Sequence, residues 1–355
     1  MKSLHTAGKA RRTLSIVALT IVWLVSIRPT PAAAAGPTAS TPYTISVFAK
    51  SVPDSYTKPD SIAVTGGHVF IGYGNDVATD GTDGKSSTIV EYTMDGHVVR
   101  TFSVSGHNDG LRAKPGTGQL WALQNEDGNP NLVIIDPEDG TQRKFTFGPT
   151  AHGGGYDDMA FKDDHVFISA SNPANNPNTA PAIVKAQIMG TTVKVSPVLA
   201  GNASATDVAT GTAVTLNLQD PDSMIFDPFG DLVLDSQSDS ELIIVEHPGS
   251  ESQSVFHLGL TLAGAPAGSA PPQVDDTIFA TAPHGVILVA DRDGETVYTI
   301  TRPIFAPGAA FTAAPTLVGS LDFDTGVITP VVTGFVSAHG MTFINAQSNE
   351  DEDDR

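Results

Sequence analysis

The chain has 355 residues, 40% of them hydrophobic, with 19 Lys and Arg against 39 Asp and Glu and no cysteine. Its net charge of −20 excludes binding that rests on Lys and Arg contacts to the phosphates of nucleic acid or anionic membranes. The missing thiols exclude disulfides, thiolate metal sites, a cysteine nucleophile and a lipid-anchored N-terminus, so packing alone must hold the fold.

Residues 1–35 read as an export signal. Lys2, Lys9, Arg11 and Arg12 precede an apolar stretch from Leu14 to Ile27, and Ala33-Ala34-Ala35 offers a small-residue cleavage site before Gly36. The stretch is short for a membrane span and is closed by Arg28 and two prolines. Arg11-Arg12 admits a twin-arginine route, but Thr13-Leu14-Ser15 fits it loosely, so ordinary secretion to the periplasm or beyond is the expectation. Cleavage removes five basic residues and leaves 14 against 39 acidic ones, a net −25. A chain so charged is expected to be a soluble monomer that draws cations, with no nucleic-acid or membrane partner.

Residues 36–42, rich in Pro, Thr, Ala and Ser, are expected to form a disordered entry to a single β domain over 43–346. Tyr43 to Phe48 alternates as a strand should. Apolar runs of four to seven residues then follow one another between Gly, Asp, Asn and Pro turns, and no segment has helical spacing with caps. Six runs open on a shared motif. The copies are Asp60-Ser-Ile-Ala-Val64, Asp109-Gly-Leu-Arg-Ala113, Asp157-Asp-Met-Ala-Phe161, Asp222-Ser-Met-Ile-Phe226, Asp275-Asp-Thr-Ile-Phe279 and His339-Gly-Met-Thr-Phe343. A second apolar run follows each of the first five: His68–Gly72, Leu120–Leu123, His165–Ser169, Leu232–Asp235 and Val286–Val289.

The first unit reads as four strands, Ser61–Val64, Val69–Tyr73, Thr88–Thr93 and Val98–Val104, with turns at Gly66-Gly67 and Asp95-Gly96. Leu132–Ile135, Asp139-Gly140 and Gln142–Phe147 repeat the last half of it. The copies are 49, 48, 65, 53 and 64 residues apart, and the two long steps carry Gly201–Thr212 and Arg302–Pro315, read as loops added at a sheet edge. Four antiparallel strands in a unit of about 50 residues are the blade of a β-propeller. The fold expected is therefore all-β, a six-bladed β-propeller of four-stranded antiparallel blades, closed by the N-terminal strand pairing with the C-terminal blade. Only 16 residues follow His339, so the Leu317–Thr333 hairpin is expected to fill out that last blade; five or seven blades stay open. Residues 347–355 read as an acidic disordered tail.

These repeats resemble those of the NHL and SMP-30/gluconolactonase-like six-bladed propellers, over about residues 43–345. The likeness is carried by Asp222-Ser-Met-Ile-Phe-Asp-Pro-Phe-Gly-Asp-Leu-Val-Leu-Asp-Ser236, an inner strand, a turn with Gly, a second strand and Asp-Ser. The resemblance implies the fold, and it implies that a cation could sit in the central channel, as in members that are metal-dependent lactonases. There it is held by carboxylate and amide side chains near the inner-strand starts. This chain departs from the pattern in having Asp222-Ser223 where such blades often show Asn-Gly, and in having no Glu at the start of the first inner strand.

In a propeller the six motif leaders, Asp60, Asp109, Asp157, Asp222, Asp275 and His339, would surround one mouth of the channel. Carboxylates facing one axis raise one another's pKa unless a cation compensates, and a subset could serve Ca²⁺. The competing role is local: each Asp caps N–H groups of its own turn or of the next blade. His107, His152 and His339 lie at or just before inner strands, and His339, His152 or Asp222 could act as base in lactone or ester chemistry. His152-Gly153-Gly154-Gly155 matches the oxyanion loop of lipases in letters, but no G-x-S-x-G elbow accompanies it, so it reads as a flexible loop between blades. Asp291-Arg-Asp293-Gly-Glu295 reads as a hairpin turn, because position 12 of a calcium loop would be Arg302. Tyr73, Asn75, Trp121, Gln124, Asn125, Asn172 and Gln237 at strand ends could form a polar binding face for a sugar or peptide. Two functions follow: an exported scaffold that binds a small molecule, glycan or protein through its loops, or a calcium-dependent lactonase or esterase.

Overall fold

A computed structural model describes residues 36–346; the expected export signal and acidic tail lie outside the described residues. Every regular element among the described residues is a strand. The first meander pairs Pro59–Thr65, His68–Tyr73, Ser86–Thr93 and Val98–Ser105 antiparallel in chain order. The next two, Asn108–Ala113 to Gln142–Phe147 and Met159–Lys162 to Thr192–Ala200, share one eight-stranded sheet. They join only where Thr146 and Phe147 run parallel to Thr192 and Val193, so each keeps its own four-strand order. Pro221–Phe226, Leu232–Ser236, Glu241–Glu246 and Ser254–Gly259 form the following one. Gly201–Thr212 contributes Ser204–Asp207, an added strand parallel to Ser254–Gly259, and Ala213–Thr215 pairs outside it as the sheet edge. Middle strands such as Leu120–Gln124 are buried along their whole length, whereas last strands such as Gln142–Phe147 are mostly exposed.

The last two sheets are interleaved, and this corrects several expectations. Thr277–Phe279 of the Asp275 unit pairs with Ala310–Ala314 and not with the apolar run Val286–Val289. That run belongs to Gly285–Asp291, which pairs with Ala338–Asn345 on one side and Thr296–Thr301 on the other. The Leu317–Thr333 hairpin completes the Asp275 sheet instead of the last one. Arg302–Pro315 therefore holds a strand and is not simply an edge loop. Thr44–Lys50 lies antiparallel on Thr296–Thr301, the outer position of the sheet led by Ala338–Asn345. Thr38–Ala39 pairs with Val327–Thr333, so the 36–42 segment is ordered by backbone hydrogen bonding and is not a loose entry.

Buried apolar residues fall into six clusters, each filled from two neighbouring meanders. Phe70, Ile89 and Phe102 meet Leu111, Leu120 and Val133 in one of them. Val69, Ile71 and Tyr92 meet Leu288, Ala290 and Val297 in another, which joins the first meander to the sheet holding Thr44–Lys50. Each such side chain contributes about 1.5–3 kcal/mol, so face-to-face packing between sheets is what holds a cysteine-free chain together. The first strands also touch in sequence: Pro59–Thr65 meets Asn108–Ala113, that meets Met159–Lys162, and so on through Ala338–Asn345, which meets Pro59–Thr65 again. They enclose a common space.

One outer contact gives a pH-dependent prediction. His257 Nδ1 lies 2.9 Å from Asp207 Oδ2 and its Nε2 lies 2.8 Å from Glu241 Oε2. Hydrogen bonds to Glu241 and Asp207 raise the imidazole pKa, outweighing partial burial. A raised folded pKa means stability present below the unfolded value near 6.5 and lost as pH rises through the folded one. Urea unfolding at pH 5.5 should show His257→Gln less stable than the parent by about 1 kcal/mol, a gap that shrinks above neutrality. A gap independent of pH would show that the imidazole is not held charged.

Candidate functional site

All six motif leaders line one cavity that opens at the starts of the first strands. Local backbone irregularity aims them there. The ladder slips between Pro59 and Ile62, between Asn108 and Leu111, and between Pro221 and Met224. A bulge at a strand start turns the lead side chain off the regular alternation, and such bulges gather beside functional sites. At Gly110 and Gly340 the second motif residue must lack a side chain, because neighbouring sheets touch there. Gly110 donates its N–H to Asp157 O at 3.0 Å, and a Cβ on it would lie 2.2 Å from that oxygen and 2.9 Å from Asp158 Cα. Gly110→Ala is expected to cost roughly 1–3 kcal/mol in denaturant unfolding, since only movement of a whole sheet makes room.

Oxygen atoms of Asp109, Asp157 and Asp222 lie within 4.8 Å of one another, as do ligand atoms of Asp60, Asp275 and His339. The two halves of the cup differ in charge. On one side His339 Nδ1 is 2.8 Å from Asp275 Oδ2 and 3.7 Å from Asp60 Oδ1, and Arg292 Nε is 3.6 Å from Asp60 Oδ2. Gln237 Nε2 donates to Asp275 at 2.8 Å, and the Ser337 hydroxyl is 3.0 Å from His339 Nε2. Burial opposes the imidazolium, but Asp275 and Asp60 prevail and lift His339 to about 10. His339 is thus held in its charged form at neutral pH.

On the other side, Asp157 and Asp222 have no Lys or Arg partner among the described residues. Burial pushes both well above the carboxylate range, helped by repulsion from Asp109 and Asp222 on Asp157 and from Asp275 and Asp109 on Asp222. Burial also works against the charge of Asp109, yet a hydrogen bond from Asp157, with His107 and Arg292 nearby, holds it below that range. Glu126 joins this half and is raised by burial and by Asp109. Asp60, buried between both halves, is pushed up to about 8 by desolvation first and Asp109 second.

Backbone capping falls to Asp158 and Asp276, the second motif residues of two copies, and not to the leaders. Asp158 Oδ2 accepts the Met224 N–H at 2.9 Å and Asp276 Oδ2 accepts the Met341 N–H at 2.7 Å, each on another first strand. Among the described residues the only hydrogen-bond donors to the side chains of Asp222 and Asp275 are side chains. Arg112 lies beneath the leaders, its Nε donating to Asp158 Oδ1 at 3.0 Å and its second nitrogen sitting 3.7 Å from Asp276 Oδ1. It is shared by the acidic cup and by an apolar cavity lined by Phe161, Phe226 and Phe343. Arg112 therefore separates a charged mouth from an apolar one.

His152 does not reach the cup. Its Nε2 lies 2.6 Å from Gly155 O and its ring packs on Tyr156. The loop it heads is close-packed rather than flexible, since a Cβ on Gly155 would lie 2.3 Å from the carbonyl oxygens of Asn125 and Glu126. Tyr73 and Trp121 are core residues, while Gln237 does line the cup. Arg292, Arg112, Asp158, Asp276 and Glu126 were not singled out from sequence. Arg112 had a signal: it is the one charge at the fourth motif position, where the other copies carry Ala63, Ala160, Ile225, Ile278 and Thr342.

No protein-family model and no curated protein matches the chain. Solved structures do. A structural genomics protein of unknown function from Bacteroides thetaiotaomicron VPI-5482 aligns with a TM-score of 0.52 at 10% identity, covering 84% of this chain and 69% of that one. A putative gluconolactonase aligns at 0.47 with 12% identity, over 86% of this chain and 93% of that one. A streptogramin B lyase aligns at 0.45 with 10% identity, over 86% and 74%. At such identities the likeness is one of fold. The chain's successive antiparallel meanders have the fold of a β-propeller.

Proposed function

We propose that the chain is an exported, monomeric six-bladed propeller whose axial cup binds a divalent cation of the calcium class and, with it, an oxygen-rich small molecule. In this reading Thr44–Lys50 closes the last blade. The observation that carries the proposal is the convergence of Asp109, Asp157 and Asp222 without a cationic side chain for the last two. Oxygen ligands about 2.3–2.6 Å from one Ca²⁺ can be up to about 5 Å apart, so a 4.8 Å cluster suits a shared ion. A bound cation would polarise a carbonyl oxygen of the ligand. Arg292 and His339, positive and facing the same space, would hold a developing oxyanion. Asp60, its pKa pushed up to about 8, would hold a proton at neutrality and be placed to give it to the leaving oxygen. This set supports hydrolysis of a lactone or ester better than recognition of a protein or glycan by outer loops, because the charged groups point inward.

The experiment is a lactone and ester panel assayed with chelator, with added Ca²⁺, and with Asp222→Asn. Turnover that needs Ca²⁺ and falls at least about 100-fold in Asp222→Asn is expected. Calcium-independent binding of the same compounds with no turnover would return the cup to a scaffold role.

A further inference from the structure

We propose a second metal site, off the axis, formed by His107 Nε2, Asp109 and Glu126 and suited to a nitrogen-accepting divalent cation such as Zn²⁺ or Mn²⁺. It goes beyond the axial calcium and needs neither Asp157 nor Asp222. His107 stands two residues before Asp109, immediately ahead of the first strand Asn108–Ala113. Glu126 follows the neighbouring strand Leu120–Gln124, whose Gln124 pairs with Asn108, so it arrives beside the other two.

The second observation is the imidazole itself. His107 is 1% exposed, and its Nε2 has no hydrogen-bond partner among the described residues. Its Nδ1 lies 3.0 Å from Val77 O, a group that can only accept, so Nδ1 carries a hydrogen and Nε2 is the nitrogen turned inward. A backbone carbonyl on the far nitrogen is the usual way a ligating histidine is fixed in tautomer and direction. Asn125 Oδ1 accepts the His107 N–H at 2.9 Å, and the Asn125 N–H donates to His107 O at 2.8 Å, which locks the backbone as well.

Nε2 faces Asp109 Oδ1 at 3.9 Å and Glu126 Oε1 at 3.7 Å. Both gaps exceed hydrogen-bonding reach, so the buried Nε2 and the two carboxylates converge on one space with no direct bond between them. Two ligands each about 2.0–2.2 Å from a zinc-class ion can be at most about 4.4 Å apart, so the observed gaps fit one shared ion. The imidazole selects this class over Ca²⁺, which prefers oxygen throughout. Both carboxylates also line the cup, which gives the ion a route in and leaves room for water ligands.

The test is calorimetric titration of the chelator-stripped full chain with Zn²⁺ and with Mn²⁺, using His107→Gln, Glu126→Gln and the double variant Asp157→Asn/Asp222→Asn. Glu126→Gln guards against misfolding of the histidine variant, because the Glu126 carboxylate makes no hydrogen bond among the described residues. One site is expected, weakened at least about tenfold by either single variant and by less than about threefold in the double variant. Pulsed EPR of the Mn²⁺-loaded chain should show nitrogen modulation that disappears in His107→Gln. Absence of a site in the parent chain overturns the proposal. So does Zn²⁺ affinity that falls in the double variant but not in the singles, which would place the ion on the axis.

Discussion

Replacing Arg112 with methionine is expected to lower the stability of the chain by about 3–5 kcal/mol, the cost of leaving buried carboxylates without their partner. The guanidinium contacts both oxygens of Asp158, lies 3.7 Å from Asp276 and donates to Met224 O at 3.4 Å. Those two carboxylates are themselves bonded to the Met224 and Met341 amides, so the damage should spread to four first strands. The expected signature is a lower urea midpoint that recovers in part when Asp158→Asn is added. It should also recover as pH falls, because burial already pushes Asp276 up to about 7 even with Arg112 opposing. A methionine variant as stable as its parent would show that the floor of the cup is not ionic.

The second large effect is an inversion. In chelator, Asp157→Asn/Asp222→Asn is expected to be more stable than the parent chain at neutral pH. Burial and mutual repulsion raise both carboxyl groups, and each full unit of such a shift corresponds to about 1.4 kcal/mol. Millimolar Ca²⁺ should reverse the order, because an ion at a hundred times its Kd stabilises the parent by about 2.7 kcal/mol and has little hold on the amides. Melting curves of both chains in both conditions read this directly. Curves that keep their order with and without Ca²⁺ would mean that the acidic cluster is a cost the fold carries for another reason.

Much of the cup was legible in sequence because its residues occupy one position of a repeated motif. Periodicity placed Asp60, Asp109, Asp157, Asp222, Asp275 and His339 together without any knowledge of distance. The pairing of the last two sheets was not legible. Val286–Val289 is apolar on both faces, and nothing local tells such a strand whether to sit beside Thr277–Phe279 or Ala338–Asn345. That choice is made by packing, with Ile287 and Val289 sharing a cluster with Phe305, Phe311 and Met341. The roles of the titrating groups were equally hidden. His339 resembles a base by type, and only the closeness of Asp275 and Asp60 makes it a cation. Arg292 arrives through a hairpin turn after Asp291, whose own carboxylate accepts the Ser337 N–H at 2.7 Å and so ties that turn to the chain just before His339.

Titration calorimetry of chelator-stripped protein with Ca²⁺ tests the axial site most directly. Saturable binding of one ion that vanishes in Asp157→Asn/Asp222→Asn and persists in His107→Gln is the expected result. Heat indistinguishable from dilution in the parent chain, or equal binding in parent and double variant, would contradict a calcium-holding cup.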